Sequence, residues 1–414
     1  MPASRPLAGV GALTVLCFVS TASLGQTTGA GAQAPTAQPP SAAPSTPSGP
    51  SMPTTPPPPG FPANYQSNIV FGGEFDTHLQ AELTKPSGTG AKGTVFDDSE
   101  LTLYGNYSTW LSLNSDIKLE RNRNDNEEDF YPDRNSFLRS EGMTLRQLFA
   151  TVRPFDQVSV YGGKIHPNFG SAYQAEPGNF YNFGSDYEQD ERIGFGAQYA
   201  LADLLGLTNV RLSVETFYLD TSFLSESLLS RPALDDPTAD RLRRYTRNQF
   251  GPANTGSFDS YTVALRGGRA EQGLTWQISL TQEATDDPSG RTEYGQSIGA
   301  TYDPTGDGLR LTGRLGLTPF LEYAHFTNFA GITGLERHYL IGGATFSYVR
   351  WQLILAGGLR KSLGASHDTD HQENVSLNYS VTDELTVGGG VNHVEIARRG
   401  SWTIAPSLAY KIAF

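Results

Sequence analysis

The chain has 414 residues, of which 37% are hydrophobic, too few apolar side chains for a bundle of membrane-spanning helices. Its 45 glycines and its 22 Phe, 19 Tyr and 4 Trp, beside only 18% charged residues, exclude a disordered chain. A net charge of -13, from 30 basic against 43 acidic side chains, excludes the basic face that a nucleic-acid binder needs.

Residues 1–25 read as an export signal. Arg5 supplies the positive start, Leu7 to Val19 form a short apolar core, and Ser23 and Gly25 place small residues before a cleavage point at Gln26. The core is too short to span a bilayer. The sole cysteine, Cys17, lies within it and lacks the small residue that a lipoprotein signal places just before. The mature chain would therefore hold no thiol, which suits an oxidising periplasm and excludes a disulfide scaffold or a cysteine-ligated metal. Residues 26–64 follow as a Pro/Ala/Ser-rich stretch containing the run Pro56-Pro57-Pro58-Pro59. It cannot build a core, and reads as a solvated, semi-rigid periplasmic spacer.

From residue 65 to 414 the pattern changes to period two. Phe71, Gly73, Phe75, Thr77, Leu79, Ala81 and Leu83 alternate with Gly72, Glu74, Asp76, His78, Gln80 and Glu82. Such alternation marks a strand with one apolar and one polar face. It recurs through runs near 67–84, 100–107, 111–120, 144–153, 157–165, 191–201, 209–219, 258–267, 274–284, 292–302, 309–326, 338–348, 351–361, 371–380, 385–394 and 401–414. Short turns alternate with longer polar connections, of which 85–99, 121–143, 166–190 and 220–257 are the longest. The predicted fold is all-β: a transmembrane antiparallel up-and-down β-barrel of about 16 strands, with short periplasmic turns and long extracellular loops. An even count brings both termini to the short-turn side. Tyr107, Tyr199, Tyr302, Tyr348, Tyr379 and Tyr410 end descending strands there, and Trp110, Trp276 and Trp351 begin ascending ones. A ring repeated at one depth reads as an interfacial girdle.

The signal peptide, the sixteen alternating runs, the tyrosine-ended strands and the closing Leu408-Ala409-Tyr410-Lys411-Ile412-Ala413-Phe414 together resemble the Gram-negative outer-membrane porins over residues 65–414. The resemblance implies location in the outer membrane, in contact with its lipid and lipopolysaccharide. It implies recognition of Tyr410, Ile412 and Phe414 by the barrel-assembly machinery, and a homotrimer. It also implies that the third long loop, 166–190, folds inward to narrow the channel, although the Pro-Glu-Phe-Gly-Gly signature of the general porins is absent.

A barrel of this width leaves an aqueous channel, so passive diffusion of small hydrophilic solutes and ions is expected. The loop contributes Glu176, Asp186, Glu188 and Asp190, with Glu191 just after it, as an acidic constriction; Arg211, Arg266, Arg310, Arg314 and Arg360 fall at lumen parity as a basic wall. The two would set a transverse field across the pore. Glu74, Asp76, Glu82 and Asp116, also at lumen parity, predict a weak preference for cations. Lys164 shares its face with Val158 and Val160 and is open to either orientation. Arg241, Arg243, Arg244 and Arg247 read as a solvated charge run or a contact for lipopolysaccharide phosphates. His78, His166, His325, His338, His367, His371 and His393 are scattered, with no spacing that pairs one with a nucleophile or forms a metal set. The expectation is therefore a non-enzyme without metal or cofactor. The alternatives are a substrate-selective channel for sugars or organic ions, and an adhesive or structural barrel.

Overall fold

A computed structural model describes residues 69–107, 110–121, 136–137, 141–175, 178–180, 183–190, 192–201, 209–230, 246, 251–269, 273–303, 315–364 and 368–414. The expected signal peptide and spacer lie outside the described residues.

Sixteen long strands follow one another: β1 (Ile69–Pro86), β2 (Lys92–Tyr107), β3 (Leu111–Arg121), β4 (Glu141–Phe155), β5 (Val158–Ile165), β6 (Arg192–Leu201), β7 (Val210–Leu219), β8 (Ser260–Arg269), β9 (Leu274–Glu283), β10 (Glu293–Tyr302), β11 (Leu315–Thr327), β12 (Glu336–Tyr348), β13 (Trp351–Leu363), β14 (Thr369–Ser380), β15 (Leu385–Ile396) and β16 (Arg399–Ala413). Each pairs antiparallel with the next. β16 returns to β1 with His78 opposite Ala409 and Leu79 opposite Leu408, so the sheet closes and no edge remains. Two-residue bridges at Ser136–Phe137 and Leu229–Ser230 add to β2 and β4. Among the described residues no helix is long and apolar enough to cross a membrane.

The alternation seen in the sequence sorts side chains as a barrel requires. Leu79, Leu83, Leu113, Val160, Val214, Ile278, Leu280, Ile298, Leu321, Leu340, Leu355, Val375, Leu377 and Ile404 are exposed on the outer face. Gln80, Thr84, Ser213, Thr262, Gln277, Ser279, Thr281, Ser297, Gln372, Asn374 and Ser376 are buried on the inner one. This inversion, greasy outside and hydroxyl- and amide-lined inside, is the arrangement of a barrel solvated by lipid. Tyr107, Tyr199, Tyr348 and Tyr410 stand exposed beside Trp110 and Trp351 at the short-turn end. Trp351 leans on Tyr379, ring centroids 4.7 Å apart.

One boundary differs clearly from the sequence expectation. The first connection is only 87–91, not 85–99, because β2 begins at Lys92. Outward-facing Asp97 and Ser99, opposite Leu79 and Thr77, break the apolar alternation there and hide the strand. β11 is described from Leu315 onward, and its expected start at 309 lies outside the described residues. At the opposite extreme of size, Ala397 and Arg398 join β15 to β16 in a tight turn with both φ positive (49° and 66°), the geometry that matches strand twist.

Candidate functional site

The third long connection leaves β5 at Ile165 and turns into the barrel through Pro167-Asn168-Phe169-Gly170. Gly170 has φ +65°, and a Cβ there would lie 2.8 Å from the Tyr187 ring, so only glycine suits this close, left-handed approach. The segment then forms one helical turn, Ala172–Ala175, and a 3₁₀ turn, Phe183–Tyr187.

Inner-wall carboxylates hold it. Glu322 on β11, 1% exposed, accepts from Ser171 N–H (2.6 Å), Ser171 Oγ–H (2.6 Å), Ala172 N–H (3.2 Å) and Tyr187 Oη–H (2.6 Å). Glu215 on β7 accepts from Asn168 N–H (2.8 Å), Asn168 Nδ2–H (2.6 Å) and the Tyr161 hydroxyl. Gly170 N–H donates to Ser279 Oγ (3.0 Å), and Gln277 Nε2 donates to the Gly170 carbonyl (3.0 Å). Further along, Gln189 Nε2 reaches Thr281 and Glu283 (both 2.8 Å), while Asn179 Nδ2 reaches Asn378 and Ser407 (both 3.2 Å). The loop thus crosses the lumen from β7 to β16. Between these bonds Phe169, Phe183 and Tyr187 pack with Phe326, Tyr339 and Ile341 in a buried cluster inside the barrel.

The loop's acids do not stand free against a distant basic wall. Asp186 lies 2.8 Å from Arg360 Nη1 and 3.9 Å from Arg337, and accepts from Tyr339 Oη (3.1 Å). Arg360 in turn reaches Asp370 at 2.9 Å. Glu188 and Asp190 share Arg146 of β4, the latter at 3.0 Å. Burial pushes the Glu188 carboxyl up; burial acts the same way on Asp190, but Arg146 and Arg192 outweigh it and hold it below the usual range. His166, stacked on Tyr173 at 4.9 Å, is held neutral by burial and by Arg146, its pKa pushed down to about 3. Glu176 and Glu191 lie outside the described residues.

Of the expected arginines that lie among the described residues, only Arg360 touches the loop acids. Arg211 and Arg266 are cross-strand partners near the short-turn end, with Arg153 close enough to act on Arg211 electrostatically. Arg266 donates to Gln277. Arg310, Arg314 and the cluster Arg241, Arg243, Arg244 and Arg247 lie outside the described residues. Lys164 is capped: its ammonium is buried against Asp220 (3.1 Å) and the Leu224 carbonyl (2.9 Å).

The predicted lumen acids gather on β1–β3. Glu74 pairs with Lys411 at 2.6 Å, Glu82 accepts from Gln80 (2.7 Å), Asp76 faces Glu100 in register, and Asp116 is buried opposite Thr102. Asp98 adds a carboxylate 3.3 Å from Lys118. Water reaches this sector: the side chains of Glu74 and Asp98 are 41% and 37% exposed, against 13% for Asp186. Tyr410, Ile412 and Phe414 point outward on or just beyond β16, and the Phe414 backbone pairs with Gly73 at 2.9 and 3.0 Å.

Sequence reasoning missed Arg146, Glu215 and Glu322, the residues that seat the loop. Glu322 was the most visible of them, as the single acid of its strand; Glu215 shares its face with Arg211, and Arg146 sits at a register shift that takes it out of simple alternation.

No protein-family model matches the sequence, and no curated protein matches it either. Solved structures do. The chain is similar to the high-pH structure of Pseudomonas putida OprB, with TM-score 0.56 and 10% identity over 83% of this chain and 94% of that one. It is similar to the outer membrane channel DcaP of Acinetobacter baumannii, with TM-score 0.54 and 13% identity over 84% and 97%. An anion-selective porin from Comamonas acidovorans matches with TM-score 0.51 and 12% identity over 84% and 100%. At these identities the likeness is one of fold: the chain is a porin-type barrel.

Proposed function

We propose that the protein is an outer-membrane porin, a water-filled channel for passive diffusion of small hydrophilic solutes and ions with a weak preference for cations. The observation that carries this reading is the closed sixteen-stranded wall, apolar outside and polar inside, with the 166–190 connection seated within it. A barrel of this strand number is too wide for its own side chains to fill. The loop is seated on the wall from β4 round to β16, which leaves the wet acidic sector of β1–β3 as the water path. There Glu74, Asp76, Glu82, Asp98 and Asp116 outnumber Lys118 and Lys411. Arg153, Arg211 and Arg266 at the short-turn mouth offset part of that excess, which keeps the preference weak. Conductance in planar bilayers, with the reversal potential under a salt gradient, tests the reading. Steady steps with a small cation bias support it, and folded barrel without steps refutes it in favour of an adhesive or structural role.

A sugar-selective reading has less support. Phe169, Phe183 and Tyr187 are buried against the wall and present no open stacking surface to a solute. The arginine group favours, as second reading, a channel with affinity for organic anions; one structural neighbour is itself described as an anion-selective porin.

The homotrimer reading gains a flank. On the outward face of β1 and β2, Thr77 Oγ1 (3.1 Å) and Ser99 Oγ (2.9 Å) donate to the Asp97 carboxylate midway along the strands. A carboxylate facing hydrocarbon is costly, so this flank is where a second copy would pack. Lipopolysaccharide and the assembly machinery complete the proposed partners, the latter through the exposed Tyr410, Ile412 and Phe414.

A further inference from the structure

The outward face of the barrel carries histidine where a lipid-facing strand ordinarily carries leucine or tyrosine. His325 on β11 stands directly opposite His338 on β12, and Glu336 follows on the same face two residues away. The nitrogen and oxygen donors of these three lie within 4.8 Å of one another. The pattern recurs on β14 and β15, with Glu373 opposite His393 and His371 two residues along. Their donors also fall within 4.8 Å. Both triads sit at the long-connection end, one rung beyond exposed apolar or tyrosine side chains: Tyr323 and Leu340 in one case, Val375 and Val391 in the other. No sequence spacing shows this, because each set joins two strands through their register.

We propose that each triad binds a divalent transition-metal ion of the zinc class. Two imidazole nitrogens and one carboxylate oxygen form a set that suits Zn²⁺, Co²⁺, Ni²⁺ or Cu²⁺. Mg²⁺ and Ca²⁺ prefer oxygen alone. The rings of His325 and His338 stack 4.4 Å apart at 19°, which sets their nitrogens side by side. His325 Nε2 is shielded from solvent without a hydrogen-bond partner. The His338 ring is oriented as metal-bound histidines commonly are: Tyr323 Oη lies 2.9 Å from its Nδ1, and with Nδ1–H donated to that hydroxyl the Nε2 lone pair is left for the ion. On the other ring Gln296 Nε2 lies 3.2 Å from His325 Nδ1, so ion binding at His325 Nε2 requires the Gln296 amide to turn over and accept from Nδ1–H. In the second triad Glu373 Oε2 is 3.3 Å from His393 Nδ1, and Trp402 packs on the His393 ring at 4.5 Å. Three protein donors leave a further coordination position open on each ion. The two sites differ in charge: Lys361 stands opposite His338, whereas Glu395 stands opposite His371. The second site is therefore the tighter.

The test uses purified full-length barrel in detergent free of lipopolysaccharide, titrated with Co²⁺ and followed by its visible d–d absorption. Zn²⁺ then serves as competitor, and calorimetry gives the stoichiometry. The expected result is two ions per chain, displaced by Zn²⁺ but not by Mg²⁺. His325→Ala with His338→Ala should abolish the weaker site, and His371→Ala with His393→Ala the tighter one. Glu336→Gln and Glu373→Gln do the same with minimal change of shape. Tyr323→Phe, which removes no ligand, should weaken the first site about tenfold or more. Strand circular dichroism and unchanged channel conductance certify each variant as folded, since none of these residues lines the lumen. Absence of the cobalt spectrum, or a stoichiometry and affinity unaltered in the folded variants, overturns the proposal.

Discussion

Glu322 makes the seating of the loop open to measurement. Its carboxylate receives four donors, from Ser171 N–H, Ser171 Oγ–H, Ala172 N–H and Tyr187 Oη–H, at 2.6 to 3.2 Å. Hydrogen bonds to a charged group contribute about 1.5 kcal/mol each at the low end, so together they favour the seated loop by about 6 kcal/mol before water compensates the lost partners. Half of that sum, about 3 kcal/mol, still shifts the seated-to-detached equilibrium by roughly two decades. Glu322→Ala should therefore convert a quiet channel into one with larger mean conductance and pronounced open-channel noise, while the wall keeps its strand circular dichroism. Glu322→Gln should fall between. The hydroxyl beside the new amide nitrogen can turn to accept from it, but the backbone N–H facing that nitrogen cannot. Single-channel recording at fixed salt reads all three proteins. Glu322→Ala traces with the parent's conductance and noise would refute the idea that this carboxylate holds the loop.

Further outcomes follow from other contacts. Asp186→Asn leaves Arg360 and Arg337 in excess beside the pore. One charge acting on an ion about 7 Å away through water is worth about 0.6 kcal/mol, roughly halved by salt, and acts oppositely on the two ion signs. Reversal potentials should then show the cation-to-anion ratio falling about two- to threefold. Lys164→Met strands the fully buried Asp220 carboxylate and should cost about 3–5 kcal/mol, read as a lower thermal midpoint that Asp220→Asn partly restores. Asp97→Leu removes a charge from the outward flank and makes the lone barrel easier to solvate by about 2 kcal/mol, so native mass spectrometry should show more monomer if copies pack there. His166 titrates near 3 in the folded protein against its ordinary 6.5. Its contribution to stability is thus present above 6.5 and is lost as pH falls toward 3. In His166→Gln the acid limb of the stability profile should be shallower.

Much of the wall was legible because a barrel strand imposes period two on its side chains, and sixteen such runs could be read one by one. The reading failed where function or packing breaks that rule: Asp97 and Ser99 on the outer face concealed the first part of β2. The loop was harder. Its acids were visible, but their partners Arg146 and Arg360 sit on strands far along the chain, and only register and closure bring them to Glu188, Asp190 and Asp186. The outward histidines were invisible as groups for the same reason, since His325 and His338 meet across a hairpin and His393 meets His371 across another.

The pairing of β16 with β1 has a kinetic corollary. Every other neighbour in the sheet is joined by the next connection along the chain and can zip locally, whereas this seam joins the two most distant strands. Until it forms, β1 and β16 each present a row of unpaired amides and carbonyls, which lipid cannot satisfy and which would template association with other strands. Insertion should therefore be close to all-or-none, with the seam as the last and slowest contact to be made. Weakening it, for example at Gly73 opposite Phe414, should slow assembly and increase aggregation far more than it alters the finished channel.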